Sequence, residues 1–205
     1  MSLAASLAAL GTATIGEAAP SARIIGSPLR PLAPDNTAAG PALTVRCRPG
    51  DNLALHRAIA AAAPGDILVV DYGGSTDSGP FGEIMALACQ VRGIAGLVID
   101  GSVRDSARLI EMGFPVFARG VNIRGTKKQD QGEVGGSITL GGVRIERGDI
   151  VVADADAIII LPAGDAEATL AAGEDRAAAE ARTMDQLRAG ETTLQILGLT
   201  AGEES

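Results

Sequence analysis

The sequence predicts an α/β fold in which at least part of the sheet is parallel. Short apolar runs that read as buried strands, such as Ile67-Leu-Val-Val-Asp71 and Gly96-Leu-Val-Ile99, alternate with helical patterns of about ten residues. The apolar matter is almost entirely Ala, Val, Ile and Leu. The aromatic set is only Tyr72, Phe81, Phe114 and Phe117, with no Trp, and such an aliphatic core suits helices packed on a sheet. At 205 residues and 46% hydrophobic content, the chain is long enough to bury one core, so residues 1–205 read as a single α/β domain.

In chain order, residues 1–22 are Ala-rich and predict a loose N-terminal helical arm. Residues 26–40, rich in Pro and Gly, read as an irregular lead-in. Ala42-Leu-Thr-Val-Arg-Cys47 has strand character. Pro49-Gly50 turns the chain, and Asp51 caps a helix over Asn52–Ala62, its charge suiting the helix dipole. After strand 67–71 comes a polar, Gly-rich loop, Tyr72 to Pro80. A helix over Phe81–Arg92 carries Ile84, Leu87, Ala88 and Val91 at helical spacing and stops at Gly93. Strand 96–100 ends in Asp100-Gly101, a turn pair, and leads to a helix near Val103–Met112 and then to strand Pro115–Ala118. Beyond Gly120 the pattern changes to short strands and turns, Ser137–Leu140 and Val143–Ile145. Two segments echo each other, P-G-D-I-L-V-V-D at 64–71 and R-G-D-I-V-V-A-D at 147–154, each a turn feeding a buried strand. The R-G-D within the second is that turn and not an adhesion motif. After Ile158–Leu161, residues 165–190 read as one long helix followed by a short C-terminal segment.

Composition excludes several function classes. Net charge is −8 and the pI about 4.7, a surface that repels phosphate backbones. With so few aromatics there is no base-stacking platform, so no nucleic-acid partner is expected. No apolar run approaches the roughly 20 residues that span a bilayer, so no membrane partner is expected either. The first ten residues have a signal-like run, but no Lys or Arg precedes Arg23, which disfavours secretion and leaves a cytoplasmic location. Cys47 and Cys89 lack metal or redox spacing and read as buried small residues in a reducing compartment.

Elimination narrows the chemistry further. The single histidine, His56, lies in the 52–62 helix facing Ala and Leu, and reads as a packed, hydrogen-bonded residue; catalytic zinc or a serine triad finds little support. The only lysines, Lys127 and Lys128, lie in R-G-T-K-K-Q-D-Q-G, a solvated turn, with a Schiff-base lysine as the alternative. No glycine fingerprint for nucleotides is present. Carboxylates, arginine and backbone amides remain. In open α/β sheets ligands bind beyond the carboxyl ends of strands, and two elements arrive there. Gly82-Glu83-Ile84-Met85 is the first turn of a helix, whose free N–H groups can seat a carboxylate. Arg104-Asp105 follows strand 96–100. Arginine grips carboxylates bidentately, and an aspartate with few co-ligands suits Mg²⁺ or Mn²⁺. Two readings of that pair stand side by side: a chelating site for a 2-oxo acid, and a surface ion pair of little energetic weight.

The run F-G-E-I-M-A-L-A-C-Q-V-R-G-I-A-G-L-V-I-D-G-S-V-R-D, 81 to 105, resembles the signature of the class II 4-hydroxy-4-methyl-2-oxoglutarate / 4-carboxy-4-hydroxy-2-oxoadipate aldolases, which share their fold with the regulator of ribonuclease activity A. The similarity spans roughly residues 35–165, through D-N-L-A-L-H at 51–56, the two echoing segments and the T-K-K loop. It implies a layered α/β sandwich like the phosphohistidine swivelling domain, a mixed sheet with flanking helices, assembled as a homotrimer or homohexamer with sites between subunits. It implies that Asp105 holds a divalent cation, Mg²⁺ first and Mn²⁺ second. Arg104 would bind the pyruvyl unit and steady its enolate, and Glu83 would hold a water of the metal shell. The amides of Gly82 to Met85 would take the carboxylate of a small 2-oxo acid. An acid from a neighbouring subunit's C-terminal region is matched loosely by Glu180. The implied activity is retro-aldol release of pyruvate, with oxaloacetate decarboxylation beside it. The ribonuclease-regulator branch, which tends to lack the aspartate after the arginine, implies the alternative of a non-enzymatic inhibitor of a partner protein. Ala157 stands where relatives often carry Gly, and the Ala-rich N-terminus matches no part of the pattern.

Overall fold

A computed structural model describes residues 2–26 and 28–199. Residues 1, 27 and 200–205, which include the start of the expected arm and the end of the expected C-terminal segment, lie outside the described residues. The chain runs α1 (Leu3–Leu10), α2 (Thr12–Ala18), β1 (Arg23–Ile24), β2 (Arg30–Pro31), β3 (Ala38–Arg46), α3 (Leu53–Ala61) and β4 (Ile67–Asp71). It continues through α4 (Glu83–Val91), β5 (Gly96–Val103), α5 (Ser106–Glu111) and β6 (Val116–Val121). The last third holds β7 (Glu133–Val134), β8 (Ile138–Leu140), β9 (Val143–Ile145), β10 (Ile150–Ala153), β11 (Ile158–Leu161), α6 (Ala166–Arg188) and α7 (Thr193–Ile196).

The sheet is mixed, as the sequence predicts. Its order is β1-β11-β10-β3-β4-β5-β6-β2, with β7 also on β3 and a separate β8–β9 hairpin. Strands β3 to β6 are parallel, and the strands flanking them are antiparallel. β4 lies inside the parallel block and is buried on both faces, which is why its sequence is a continuous apolar run. Leu68 and Val70 face one core with α3, α4 and Phe114. Ile67 and Val69 face a second core with the β8–β9 hairpin, Val151 and Ile160.

The echoing segments prove to be one construction used twice. Each turn places a glycine at φ +89° (Gly65 and Gly148). Each closes with an aspartate accepting an amide three residues back, Ala63 N–H to Asp66 Oδ2 at 2.9 Å and Glu146 N–H to Asp149 Oδ2 at 3.1 Å. The strands they launch, β4 and β10, both pair with β3.

Several boundaries differ from expectation. β3 begins at Ala38, inside the stretch read as lead-in, because Ala38 to Pro41 pair with β10. β5 runs on to Val103 rather than stopping at Asp100, since Asp100-Gly101 forms a bulge within the strand and not a turn. The next helix is accordingly short. The N-terminal segment is not loose: Leu7 and Ile15 are fully buried, forming a third core with Val152, Ile159, Leu161 and Ala166. It is two helices broken at Gly11 (φ +79°). The break is held from outside, because the Asp154 carboxylate accepts the Thr12 N–H at 2.7 Å and the Thr12 hydroxyl at 2.6 Å. The 81–92 helix is also inverted in one respect. Ile84, Leu87 and Val91 are exposed, and Met85, Ala86 and Cys89 face the core.

Burial works against the Asp154 charge, but the Thr12 hydroxyl and amide and the Asp156 and Ala157 amides outweigh it and hold the carboxyl below its ordinary value. A lowered native pKa stabilises above the unfolded pKa and is lost as pH falls through the native one. Asp154→Ala should therefore lower stability by about 1 kcal/mol at neutral pH. In urea titrations the gap to wild type should narrow only in acid, below the ordinary carboxylate range.

Candidate active site

At the carboxyl ends of β4, β5 and β6 the loop 72–82 is fastened at several points. Gly74 N–H donates to Asp100 O at 2.9 Å and Gly79 N–H to Arg124 O at 2.9 Å. Asn122 Nδ2 donates to Thr76 O at 2.7 Å, and Asn52 Nδ2 to Pro80 O at 2.8 Å. Tyr72 is fully buried, its hydroxyl accepting the Gly50 N–H at 2.7 Å and sharing a hydrogen bond with Ser78 at 2.9 Å. Phe81 is also fully buried, stacks on Phe114 and accepts the Arg104 N–H at 2.8 Å.

This fastening brings the two expected elements together. The Glu83 amide, in the first turn of α4, donates to Asp105 Oδ2 at 3.1 Å. Arg104 Nε lies 3.7 Å from the same oxygen. Both side chains remain open, at 42% and 43% exposure, so the pair is not an internal ion pair. Gly82 makes the approach possible. Its backbone is extended (φ −158°, ψ −166°), which any residue adopts, but a Cβ there would collide with Asp105 Oδ2 and stand 2.9 Å from Arg104 Cγ. Glu83 and Ile84 are exposed and Met85 is buried; the Glu83 amide is given to Asp105 and the Met85 amide to the Gly82 carbonyl at 3.0 Å.

Asp105 is the only non-glycine among the described residues with positive φ (φ 56°, ψ 35°). Aspartate is among the residues that tolerate this left-handed region, at a cost of about 1 kcal/mol. Strain of this kind persists where surroundings over-determine it, and it clusters at functional sites.

A hard divalent cation fits this carboxylate. It is half exposed, one oxygen is fixed by the Glu83 amide and the other takes no hydrogen bond from the described residues. Among those residues no three His, Cys, Asp or Glu side chains gather as a cage.

The remaining candidates lie elsewhere. Glu180 is on α6, paired with Arg176 at 2.9 Å, in the layer that packs on α1 and α2. Lys127 is tied to the start of α3, donating to Gly50 O at 2.8 Å and accepting from Asn52 N at 3.0 Å. It lines a crevice of about 310 Å³ with Arg48, Asp51, Gln129 and Asp130. Burial opposes the Asp51 charge, yet the Leu53 and Gln129 amides prevail and hold the carboxyl low. His56 is packed, but its Nε2 has no hydrogen-bond partner among the described residues. Burial first, and Lys128 second, lower its pKa. Burial pushes both thiols, Cys47 and Cys89, up to about 12, so neither supplies a thiolate. The sequence reading missed Gly79, Gly82 as a point of contact, and Asn52. Gly79 packs where a Cβ would meet the Asn122 carbonyl and Arg104 Cβ.

Residues 12–160 match the RraA-like family, described as Aldolase/RraA. The chain belongs to that family. A relative from Halalkalibacterium halodurans, provisionally named a 4-hydroxy-4-methyl-2-oxoglutarate aldolase, is 37% identical over 159 residues, 78% of this chain and 76% of the relative. An uncharacterised protein from Pseudomonas syringae pv. tomato superposes with a TM-score of 0.85 at 26% identity, covering 94% of this chain and 91% of that one. The RNA-processing inhibitor RraA from Thermus thermophilis gives 0.69 at 26% identity, covering 74% and 92%. The RraA-like fold accounts for the mixed sheet with flanking helices.

Gly82→Ala should cost about 1–3 kcal/mol through overpacking and should shift the Glu83 amide resonance. Gly164→Ala is the control, since a Cβ there meets open space. Urea midpoints and a ¹⁵N correlation spectrum check both.

Proposed function

We propose that the chain is a divalent-metal-dependent pyruvate aldolase. It would cleave a 4-hydroxy-2-oxo di- or tricarboxylic acid into pyruvate and a second oxo acid, and decarboxylate oxaloacetate as a side activity. The observation that carries this reading is Asp105, a carboxylate in a left-handed conformation beside Arg104 and the first-turn amides of α4. The aldolase name of the relative from H. halodurans supports it.

Asp105 would hold the cation, Mg²⁺ or Mn²⁺, which when bound withdraws electrons from the 2-oxo group. Within the Gly82–Met85 turn, the Gly82 and Ile84 amides take the substrate carboxylate at the positive end of α4, since the Glu83 amide is given to Asp105 and the Met85 amide to the Gly82 carbonyl. Arg104 lies beside the oxygen on which negative charge grows. Glu83 orients a water that accepts the C4 hydroxyl proton. The C3–C4 bond then breaks, the second oxo acid leaves, and the bonding pair passes into the C2–C3 enolate, steadied by Arg104. Water returns a proton to C3 and gives pyruvate. In oxaloacetate the C3–C4 bond breaks to carbon dioxide, with the same enolate left behind.

Arg104 and Asp105 are half exposed on one chain, and the helix whose first turn meets them carries the exposed apolar side chains Ile84, Leu87 and Val91 along its length. A second copy covering that face would exclude water from the site, in keeping with a homotrimer or homohexamer. The partner subunit's Glu180 is our candidate for the acid that completes it. A second reading follows from the likeness to the Thermus inhibitor: the same face would mask a ribonuclease or another protein without turnover.

Pyruvate release from oxaloacetate should require Mg²⁺ or Mn²⁺ and stop with EDTA. Asp105→Asn keeps an acceptor for the Glu83 amide, so stability should change by no more than about 0.5 kcal/mol while turnover falls at least about 100-fold. Turnover that survives chelation would point to Lys127 or Lys128. Capture of a ribonuclease with no metal-dependent turnover would favour the inhibitor.

A further inference from the structure

β5 and β6 do not stay in step. Ile99 stands opposite Ala118, but Ser102 stands opposite Gly120. One extra residue on β5 is therefore absorbed at Asp100-Gly101, opposite Arg119. Such an insertion shifts everything downstream by about 3.3 Å along the strand. What lies downstream here is Arg104 and Asp105.

The bulge is held by an ion pair. Arg119 Nε donates to Asp100 Oδ1 at 2.6 Å, with the two side chains at 26% and 12% exposure. The same guanidinium lies against Gly74, where a Cβ would come within 3.3 Å of Nη2, and Gly74 N–H donates to the Asp100 carbonyl at 2.9 Å. One pair thus grips both the bulge that leads to Arg104 and Asp105 and the first turn of the loop that leads to Gly82 and Glu83. The two paths meet again where Arg104 N–H donates to Phe81 O.

We infer that Asp100 and Arg119 are positioning residues, a clamp that fixes the register in which Arg104 and Asp105 face the α4 amides. They act through the bulge and the loop, without touching substrate. The catalytic half of this inference rests on the aldolase reading; the structural half does not.

Arg119→Met, Arg119→Lys and Asp100→Asn are compared with wild type in two measurements: pyruvate release from oxaloacetate with Mg²⁺, and amide hydrogen exchange followed by mass spectrometry. Arg119→Met should lower kcat about 10- to 100-fold with a much smaller change in KM. Exchange should quicken in residues 72–82 and 101–105 and stay unchanged in β4 and β10. Arg119→Lys, which keeps the charge, should recover part of both, and the two conservative variants carry the test if Arg119→Met does not fold. Wild-type kcat with unchanged exchange in those segments overturns the inference. So does exchange that quickens equally along the whole chain. If wild type itself releases no pyruvate, the aldolase reading fails, and the exchange comparison alone decides whether the clamp exists.

Discussion

The site depends on one close approach, the turn at Gly82 against the carboxylate of Asp105. The Glu83 amide reaches Oδ2 only because no Cβ intervenes. That contact fixes the carboxylate by one oxygen and leaves the other without a hydrogen bond from the described residues, and it sets the positive end of α4 beside Arg104. An anion arriving there meets a guanidinium and helix amides, and a cation meets the free carboxylate oxygen. On the proposed reading, a 2-oxo acid bound with a divalent ion would use both.

The rest of the fold holds that approach steady. β4 and β5 are buried on both faces between two apolar cores, and close packing leaves their ends little freedom. The loop above them carries its own anchors, Tyr72 and Phe81, both fully buried. The only non-glycine backbone strain among the described residues falls on Asp105, and this rigid setting is what can sustain it.

Much of this was legible in the sequence, for reasons that can be named. β4 announces itself because a doubly buried parallel strand must be apolar throughout. The first turn of α4 and the Arg104-Asp105 pair are local features that a strand end brings into one place. The bulge was not legible, because Asp-Gly is also the commonest turn signal, and only pairing with β6 shows the strand continuing. An arginine inside the apolar run Val-Phe-Ala-Arg-Gly-Val was the available hint, since a charge in a buried strand calls for a partner. The exposed face of α4 was hidden for a different reason. Helical spacing of apolar residues looks the same whether they meet the protein's own core or stand outward, as Ile84, Leu87 and Val91 do. The N-terminal helices misled because Ala-rich sequence carries little signal, while Leu7 and Ile15 bury themselves against strands more than a hundred residues away.

The central claim, that Arg104 and Asp105 stabilise the enolate of pyruvate, has a direct test that needs no knowledge of the natural substrate. Pyruvate is incubated with the protein and Mg²⁺ in deuterium oxide, and its methyl signal is followed by proton NMR. Loss of the methyl protons with wild type, and their retention with Asp105→Asn, is the predicted result. A methyl signal that stays unchanged with wild type and Mg²⁺ would contradict the account.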